Sequence, residues 1–540
     1  MYRRVRALLL AIVVIGGSVG GFYIYVQFRP LQYLSVTVDY ALLPPAGSAR
    51  TVLPTYNTLN IWDIDWFLDP ANNATLYHEK YYFLDQLVVM TATGGRNTNS
   101  NEYINISSDG TVTYNFTKLE RMIDWLKEGN FTPIFVIGNT PIALTADKTH
   151  VNYGAFGANT AEPADYNAYY NFVVALVQDL LAYGGASFLS TWTWRVYTEP
   201  DNPDWLNGTL DAYFRIYNAT AHAIRSVLPD AKLETGNMMT RDLDNAHLNF
   251  FAKLQAETPE IFPNVTAFSV YGFIGGDLYL TDPFAKIAQW HDYFNSIGRS
   301  QVSIVIEEGQ ILADEDGKRL WDGDSTELGG AFYASAYTQC ETHNVSRYTT
   351  WEFYSTDIRT PALNVVDMFQ KMTGEIIAPV DLAYEPLTIP QKQTFGALAS
   401  RAANNATCHL LLYNLVRNRN DINNVSVTVT LNNLPAGLSK KNLYVVDKTH
   451  SNFHVEWDPL AVNFTYHPSG TAGINDGSRY DVALGIVLQG DDRDFYYQWS
   501  WANQGRFPLE QVSSETFTAG SSYSFTVTIG ANAVVLLELA

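Results

Sequence analysis

Two carboxylates, each closing a strand-like run, are the residues of this chain with the clearest chemical potential. Glu199 ends STWTWRVYTE and is followed at once by Pro200 and an aromatic-bearing loop, DNPDW. Glu307 ends VSIVIE, with a second glutamate, Glu308, directly behind it. A pair of carboxyls delivered by two strand ends is what a retaining glycosidase uses: one protonates the leaving oxygen and the other attacks the anomeric carbon. The Trp- and Tyr-rich run before Glu199 withdraws it from water and favours its protonated form, which suits a general acid. Glu307 then remains ionised as the nucleophile. A glutamate at a strand end also serves as a helix cap or an ion-pair partner, so the elements around the pair must carry the argument.

Those elements alternate. Between residues 51 and 375, strand-like runs occur at TLNIWDI, QLVVMTA, TPIFVIG, TWTWRVY, AKLETGN, VTAFSVYGF, VSIVIEE and RYTTWEFY. Helical segments separate most of them. Leu119, Met122, Ile123 and Leu126 recur at i, i+3, i+4, i+7, and a longer stripe runs from Tyr169 through Phe172, Val173, Leu176, Val177, Leu180 and Leu181. Leu210–Leu228 and Phe284–Ile297 read as two further helices. Eight such units predict a (β/α)8 TIM barrel. The rival, an open doubly wound sheet, usually carries a Gly-rich phosphate loop, and neither GxGxxG nor GxxxxGK[ST] is present. In a barrel the C-terminal strand ends build the pocket. Glu199 ends the fourth strand and Glu307 the seventh, on opposite sides of the ring.

From residue 376 to 540 the period changes to two. CHLLLYNL, VSVTVTL, NLYVVD, VALGIVL, YSFTVTI and AVVLLELA, separated by turn residues, predict an all-β sandwich. The aromatic run FYYQWSW, Phe495–Trp501, falls within it, as packing against the barrel or as a glycan-stacking surface. LSVTVDYAL, in a stalk over residues 27–50, is a further strand able to join this sandwich.

The N-terminus adds a location. Arg3, Arg4 and Arg6 lie in a short tail, residues 1–6, before an uncharged apolar run, residues 7–26. Twenty helical residues span roughly 30 Å, a bilayer core, and the basic flank predicts a transmembrane anchor with its N-terminus inside and the body outside the cell. A signal peptide cut near Gly20 is the alternative. Asn-X-Ser/Thr sequons begin at Asn73, Asn105, Asn115, Asn130, Asn207, Asn218, Asn264, Asn344, Asn405, Asn424 and Asn463, as in an exported glycoprotein. The net charge of −21 argues against a nucleic-acid partner. The two cysteines, Cys340 and Cys408, allow one disulfide. No metal-ligand spacing occurs, the acidic stretch Ala313–Asp324 lacks EF-hand spacing, and two-carboxylate chemistry needs no cofactor.

The barrel resembles glycoside hydrolase family 39, the β-xylosidases and α-L-iduronidases. YNFTKLERMIDWLKEGNFTPIFVIGNTPIAL is similar to the family's helix, third strand and Pro-containing loop. ASFLSTWTWRVYTEPDNPDW resembles its acid/base segment, TLDAYFRIYNATAHAIRSVLPDAKLETG the helix and fifth strand after it, and VSIVIEEGQ its nucleophile strand. The resemblance implies a retaining barrel with a terminal β-sandwich, acid/base Glu199, and nucleophile Glu307 rather than Glu308. An oligo- or polysaccharide is the implied substrate, with exo-acting β-xylosidase chemistry as the expectation. Thr198 stands where the family has an Asn that contacts the sugar 2-hydroxyl. On strand six, where a His and a Tyr are usual, FSVYGF supplies Tyr271 and Phe273. Tyr271 is expected to orient Glu307, Trp351 to floor the sugar ring, and Trp205 to line the pocket mouth. These departures keep two alternatives open: a transglycosylase, and a non-catalytic carbohydrate-binding or surface-layer glycoprotein on the same barrel.

Overall fold

The structure is a computed structural model. It describes residues 34–42, 50–54, 58–61, 64–84, 86–89, 103–146, 159–239, 244–272, 281–311, 323–350, 354–355, 358–383, 393–416, 419, 424–467 and 484–540. Eight parallel strands close into a barrel: Thr58–Ile61, Gln86–Val89, Thr132–Ile137, Thr193–Val196, Lys232–Thr235, Val265–Gly272, Ser303–Ile311 and Val345–Thr350. They are the eight runs read from the sequence, in the same order. The first strand pairs with the second and the eighth, which closes the ring.

The helical stripes bury as their spacing requires. Leu119, Met122, Ile123 and Leu126 are buried in the helix Thr117–Glu128. Tyr169, Phe172, Val173, Leu176, Val177 and Leu180 are buried in Tyr166–Gly184, whose N-cap Asp165 accepts bonds from the Asn167 and Ala168 amides. The helix after strand seven, Glu327–His343, is buried on nearly every face. An amphipathic pattern is absent there because the helix lies between the barrel and a sheet of the second domain.

That domain has two sheets. Val380–Ala383, Leu34–Asp39, Val425–Asn432 and Ser522–Ile529 form one. Ile376–Ala378, Gln393–Arg401, Cys408–Val416, Ala533–Leu539, Lys440–Val446 and Glu510–Thr516 form the other. The early strand Leu34–Asp39 therefore sits inside this domain, parallel to Val425–Asn432. Along Cys408–Val416, Leu410 and Leu412 enter the inter-sheet core while Leu411, Tyr413 and Leu415 join the barrel core. Both faces are covered, so the strand reads as an unbroken apolar run. Each such leucine stabilises the fold by roughly 1.5–3 kcal/mol.

The all-β expectation needs one correction. Residues between the adjacent strands Lys440–Val446 and Glu510–Thr516 form helices: His454–Leu460, Leu484–Val487 and Gly490–Ala502. VALGIVL holds a short helix instead of a strand, and FYYQWSW lies on the last of the three. Phe453, Trp457 and Tyr496 bury together with Leu484 and Leu488 in a small separate core. Aromatic and branched side chains have high strand propensity, and this tertiary cluster overrides it. The insert is tied to the barrel where strand seven leads into its helix. Glu327 accepts bonds from Arg419 (2.8 Å) and Asn452 (2.9 Å), and His454 meets Ser325 at 2.9 Å.

Cys340 and Cys408 are both buried and both free. One belongs to the barrel core and the other to the sandwich core. No described helix is long and apolar enough to cross a membrane, and the expected anchor over residues 7–26 lies outside the described residues.

A buried charge cluster sits in the six-stranded sheet beside the barrel. His409, with a side chain 3% exposed, contacts Glu375 at 2.8 Å and Glu538 at 3.4 Å through its two ring nitrogens. Burial pulls His409 toward neutrality, but the two carboxylates outweigh it and raise its pKa. Glu538 is held down at about 2, first by its bond to His409. A raised histidine stabilises fully below its unfolded value of about 6.5 and loses that contribution as pH rises through its folded value. The depressed Glu538 contributes above about 4.3 and loses this as pH falls toward its folded value. The joint contribution is therefore greatest between about pH 4.3 and 6.5. Thermal melts should show the wild-type melting temperature falling between pH 6 and pH 9, with His409→Gln showing a flatter dependence over the same range.

Candidate active site

The fourth strand delivers Glu199 through an unusual turn. Tyr197 and Glu199 both have positive φ, +74° and +38°, a region costly for residues with a Cβ. Two glycines make room for the turn. A Cβ on Gly138 would lie 3.1 Å from the Tyr197 Cα, and one on Gly236 would lie 2.9 Å from Pro200 Cδ. Asn139 and Tyr197 brace the turn from below, both donating to the Trp205 backbone oxygen, at 3.2 and 2.9 Å. The result is a carboxyl aimed into the barrel mouth and only 3% exposed.

The partners of its carboxyl come from strand six and from the turn itself. Ser269 donates to Glu199 Oε1 at 3.1 Å, Tyr271 donates to the same oxygen at 2.7 Å, and Asn202 donates to Oε2 at 2.8 Å. Asn237, just past strand five, accepts from the Glu199 amide at 3.3 Å and donates to Ser269 at 2.8 Å.

The Tyr271 hydroxyl also bonds Glu308. Two O–H···O bonds in series span at most about 6 Å, so the Glu199 and Glu308 carboxyls are close neighbours across the mouth. Tyr271 has one hydrogen for two carboxyl oxygens, and the trio is complete only when one carboxyl carries a proton. Burial raises the pKa of both groups, and in Glu308 the charge of Glu199 raises it further. The site therefore holds one proton over two carboxyls across a range above the ordinary carboxylate values.

The structure corrects the register on strand seven. Glu307, expected opposite Glu199, is fully buried in the barrel interior and held by two arginines. Arg347 contacts it at 2.6 Å and Arg195 pairs with its other oxygen. Both arginines also hold Glu234, Arg195 at 2.9 Å and Arg347 at 2.7 Å. The ring joins strands four, five, seven and eight and is neutral. Tyr271, expected to orient Glu307, bonds Glu199 and Glu308 instead.

The physical cause is a β-bulge. Against strand six, Ile306 pairs with Phe268 and Glu308 with Ser269, leaving Glu307 as the extra residue. Alternation from Val305 brings Glu307 inward, and the bulge then re-aims Glu308 to the same side. The residue after Glu308 is Gly309, where the Tyr348 side chain fills the space a Cβ would need.

Thr198 is 2% exposed, and its hydroxyl has no hydrogen-bond partner among the described residues. The same holds for Glu308 Oε1. Trp205 is 3% exposed and packs in the barrel core. Trp351 and Phe273 lie outside the described residues, as do residues 313–322 of the acidic stretch. Among the described residues no cluster of three metal-ligating side chains occurs.

Sequence reasoning set Glu308 aside and missed Ser269, Asn237 and Asn202. Ser269 had a signal, lying two residues before Tyr271 and so on the same face of the strand. The ring also had one: Arg195, Glu234 and Arg347 interrupt strands that are otherwise buried, and such charges must be paired.

Residues 98–253 match the sequence profile of Glycosyl hydrolases family 39. The matched segment contains Glu199 and its turn and ends before strand seven. Over 130 residues the chain is 32% identical to a β-xylosidase of Geobacillus stearothermophilus, covering 24% of this chain and 25% of that protein. The chain thus spans about a quarter of the length of the curated relatives it matches. Its fold is similar to a monomeric β-xylosidase from Caulobacter crescentus CB15, with a TM-score of 0.66, 14% identity, and coverage of 94% of this chain and 99% of that one. It is also similar to the family 39 enzyme from Xanthomonas axonopodis pv. citri, with a TM-score of 0.65, 14% identity, and coverage of 94% and 97%. At that identity the likeness is one of fold.

The two adjacent glutamates are separable by stability. Glu307→Gln leaves an arginine of the buried ring under-compensated and should cost about 3–5 kcal/mol. Glu308→Gln replaces a carboxyl that burial already disfavours as an anion, and should leave stability at neutral pH unchanged or raised. Chemical denaturation of both variants at pH 7 checks the contrast.

Proposed function

We propose that the chain is a retaining glycosidase of β-xylosidase type, with Glu199 as acid/base and Glu308 as nucleophile. The observation that carries this reading is the Tyr271 hydroxyl shared between the two carboxyls. The spacing it allows fits the roughly 5–5.5 Å of retaining enzymes, with no room for the intervening water of inversion. This assignment replaces Glu307 by its neighbour, because a carboxylate clamped between two arginines is poorly placed to form a covalent bond to sugar.

Glu199 protonates the glycosidic oxygen while Glu308 attacks the anomeric carbon. The leaving alcohol departs, and Glu199, now a carboxylate, removes a proton from the water that releases the sugar. Tyr271 keeps the anionic Glu308 hydrogen-bonded until attack. The partnerless Thr198 hydroxyl and Glu308 Oε1 are groups that a bound sugar would satisfy. Thr198 has a shorter reach than the family's Asn, which supports a specificity departing in detail from the β-xylosidases. Anchoring of an extracytoplasmic body rests on the basic residues Arg3, Arg4 and Arg6 before the apolar run. The asparagines of all eleven sequons are exposed or partly exposed, as an exported glycoprotein requires. Deleting residues 7–26 should release the full chain from carbonate-washed membranes.

Aryl xyloside, arabinoside, glucoside, galactoside and uronide substrates test the activity on the chain from Pro30 onward. The wild type should release aryl alcohol from the β-xyloside, with the acidic limb of the pH profile above the ordinary carboxylate range. Glu308→Gly should be inactive and, given azide, form a glycosyl azide of inverted anomeric configuration. Glu199→Ala should lose about 10²–10⁴-fold on poor leaving groups and give the azide of retained configuration. Azide rescue at Glu307→Gly but not at Glu308→Gly would return the nucleophile to Glu307. Silence of the wild type across the panel, with sugar binding on a glycan array, would favour a binding protein.

A further inference from the structure

The acid/base turn continues into a charged chain that the two-carboxylate mechanism does not use. Asp201, two residues past Glu199, accepts a bond from the Met239 amide at 2.9 Å through one oxygen. Its other oxygen lies 3.4 Å from His247 Nε2. His247 Nδ1 lies 2.5 Å from Asp244, the residue that caps the helix Asn245–Glu257 by accepting from the His247 amide. The His247 side chain is only 4% exposed and Asp201 only 12%. The edge of the Trp290 ring, on the helix Thr281–Ser296, closes a further side, with centroids 6.2 Å apart. Among the described residues the charged groups facing His247 are the two aspartates. The charge of Asp201 also bears on the Tyr213 phenol, from the helix Leu210–Val227.

A neutral imidazole has one N–H, and here both ring nitrogens face carboxylates. Only the imidazolium donates to both. We propose that His247 is a positioning residue for the acid/base: an imidazolium clamped between Asp201 and Asp244 that fixes the turn bearing Glu199 and offsets part of the charge of Asp201 beside it. This inference rests on the reading of Glu199 as acid/base. Burial alone would favour neutral His247, and the bonds to the two aspartates outweigh it and raise its pKa. Asp201 is a like charge that opposes ionisation of Glu199, adding to the dominant effect of burial, and without His247 it would do so more strongly. The clamp therefore lets the turn carry an aspartate for its backbone bond to Met239 while offsetting part of the charge that Asp201 presents to the acid/base.

The test uses the pH profile of kcat/KM on the aryl β-xyloside for His247→Gln, Asp201→Asn and the double variant. His247→Gln should move the alkaline limb, which reports Glu199, to higher pH and lower kcat about 10-fold with KM within about twofold. Asp201→Asn should move that limb to lower pH, and the double variant should return it toward the wild-type position. An activity-independent readout is the His247 ring resonance, assigned by its loss in His247→Gln, which should remain that of an imidazolium through neutral pH. A ring that titrates at or below the ordinary histidine value overturns the proposal, as does an active wild type whose limb is unmoved in His247→Gln. A fall in activity matched only by a lower melting temperature, with the limb unmoved, also overturns it. An inactive wild type fails the glycosidase reading itself, while the resonance still decides whether the clamp exists.

Discussion

The neutral ring of Arg195, Glu234, Glu307 and Arg347 is the constraint on which the site depends. Four charges drawn from four strands lie inside a barrel whose interior is otherwise closed to water. Each would be expensive to bury alone, and the ring is tolerable only because all four are paired. Pairing fixes the relative heights of strands four, five, seven and eight. It holds the Glu307 side chain inward, and with Glu307 held there the following residue reaches the mouth only through the bulge. The carboxyl that meets Tyr271 is thus set by charges one layer beneath it.

Around this foundation the polar groups divide by height. Below, opposite charges are paired and cancel. Above, Glu199, Glu308 and Tyr271 share too few hydrogens for two anions, with burial opposing ionisation of both carboxyls. A charged layer beneath a protonatable one lets a single barrel both hold its shape and carry a shared proton. The backbone strain at Tyr197 and Glu199 belongs to the upper layer, and it is accommodated by Gly138 and Gly236, where no side chain competes for the space.

The second domain enters this arrangement through strand seven as well. The helix that follows it is enclosed by the barrel and the six-stranded sheet, and its first residue, Glu327, is held by Arg419 and Asn452 from the sandwich side. The helical insert lies at the same junction. Strand seven is therefore constrained at its bulge by the charge ring and beyond its end by the sandwich domain, which leaves little freedom in where Glu308 points.

The eight strands, two helical stripes, the change of period near residue 376 and Glu199 were legible in the sequence because each is a local pattern. Apolar spacing of 3.6 or 2 records which face of an element is covered, and that needs no knowledge of the partner. The helical insert was not legible, since Trp457, Tyr496 and Leu484 become a core only when brought together from separate segments. The choice between Glu307 and Glu308 belonged to tertiary structure entirely. Two adjacent carboxylates at the end of one strand are equivalent by type and position, and strict alternation admits only one to the barrel interior. Which of them faces Glu199 was decided by a one-residue bulge and by arginines 112 and 40 positions away, interactions that exist only once the barrel has closed.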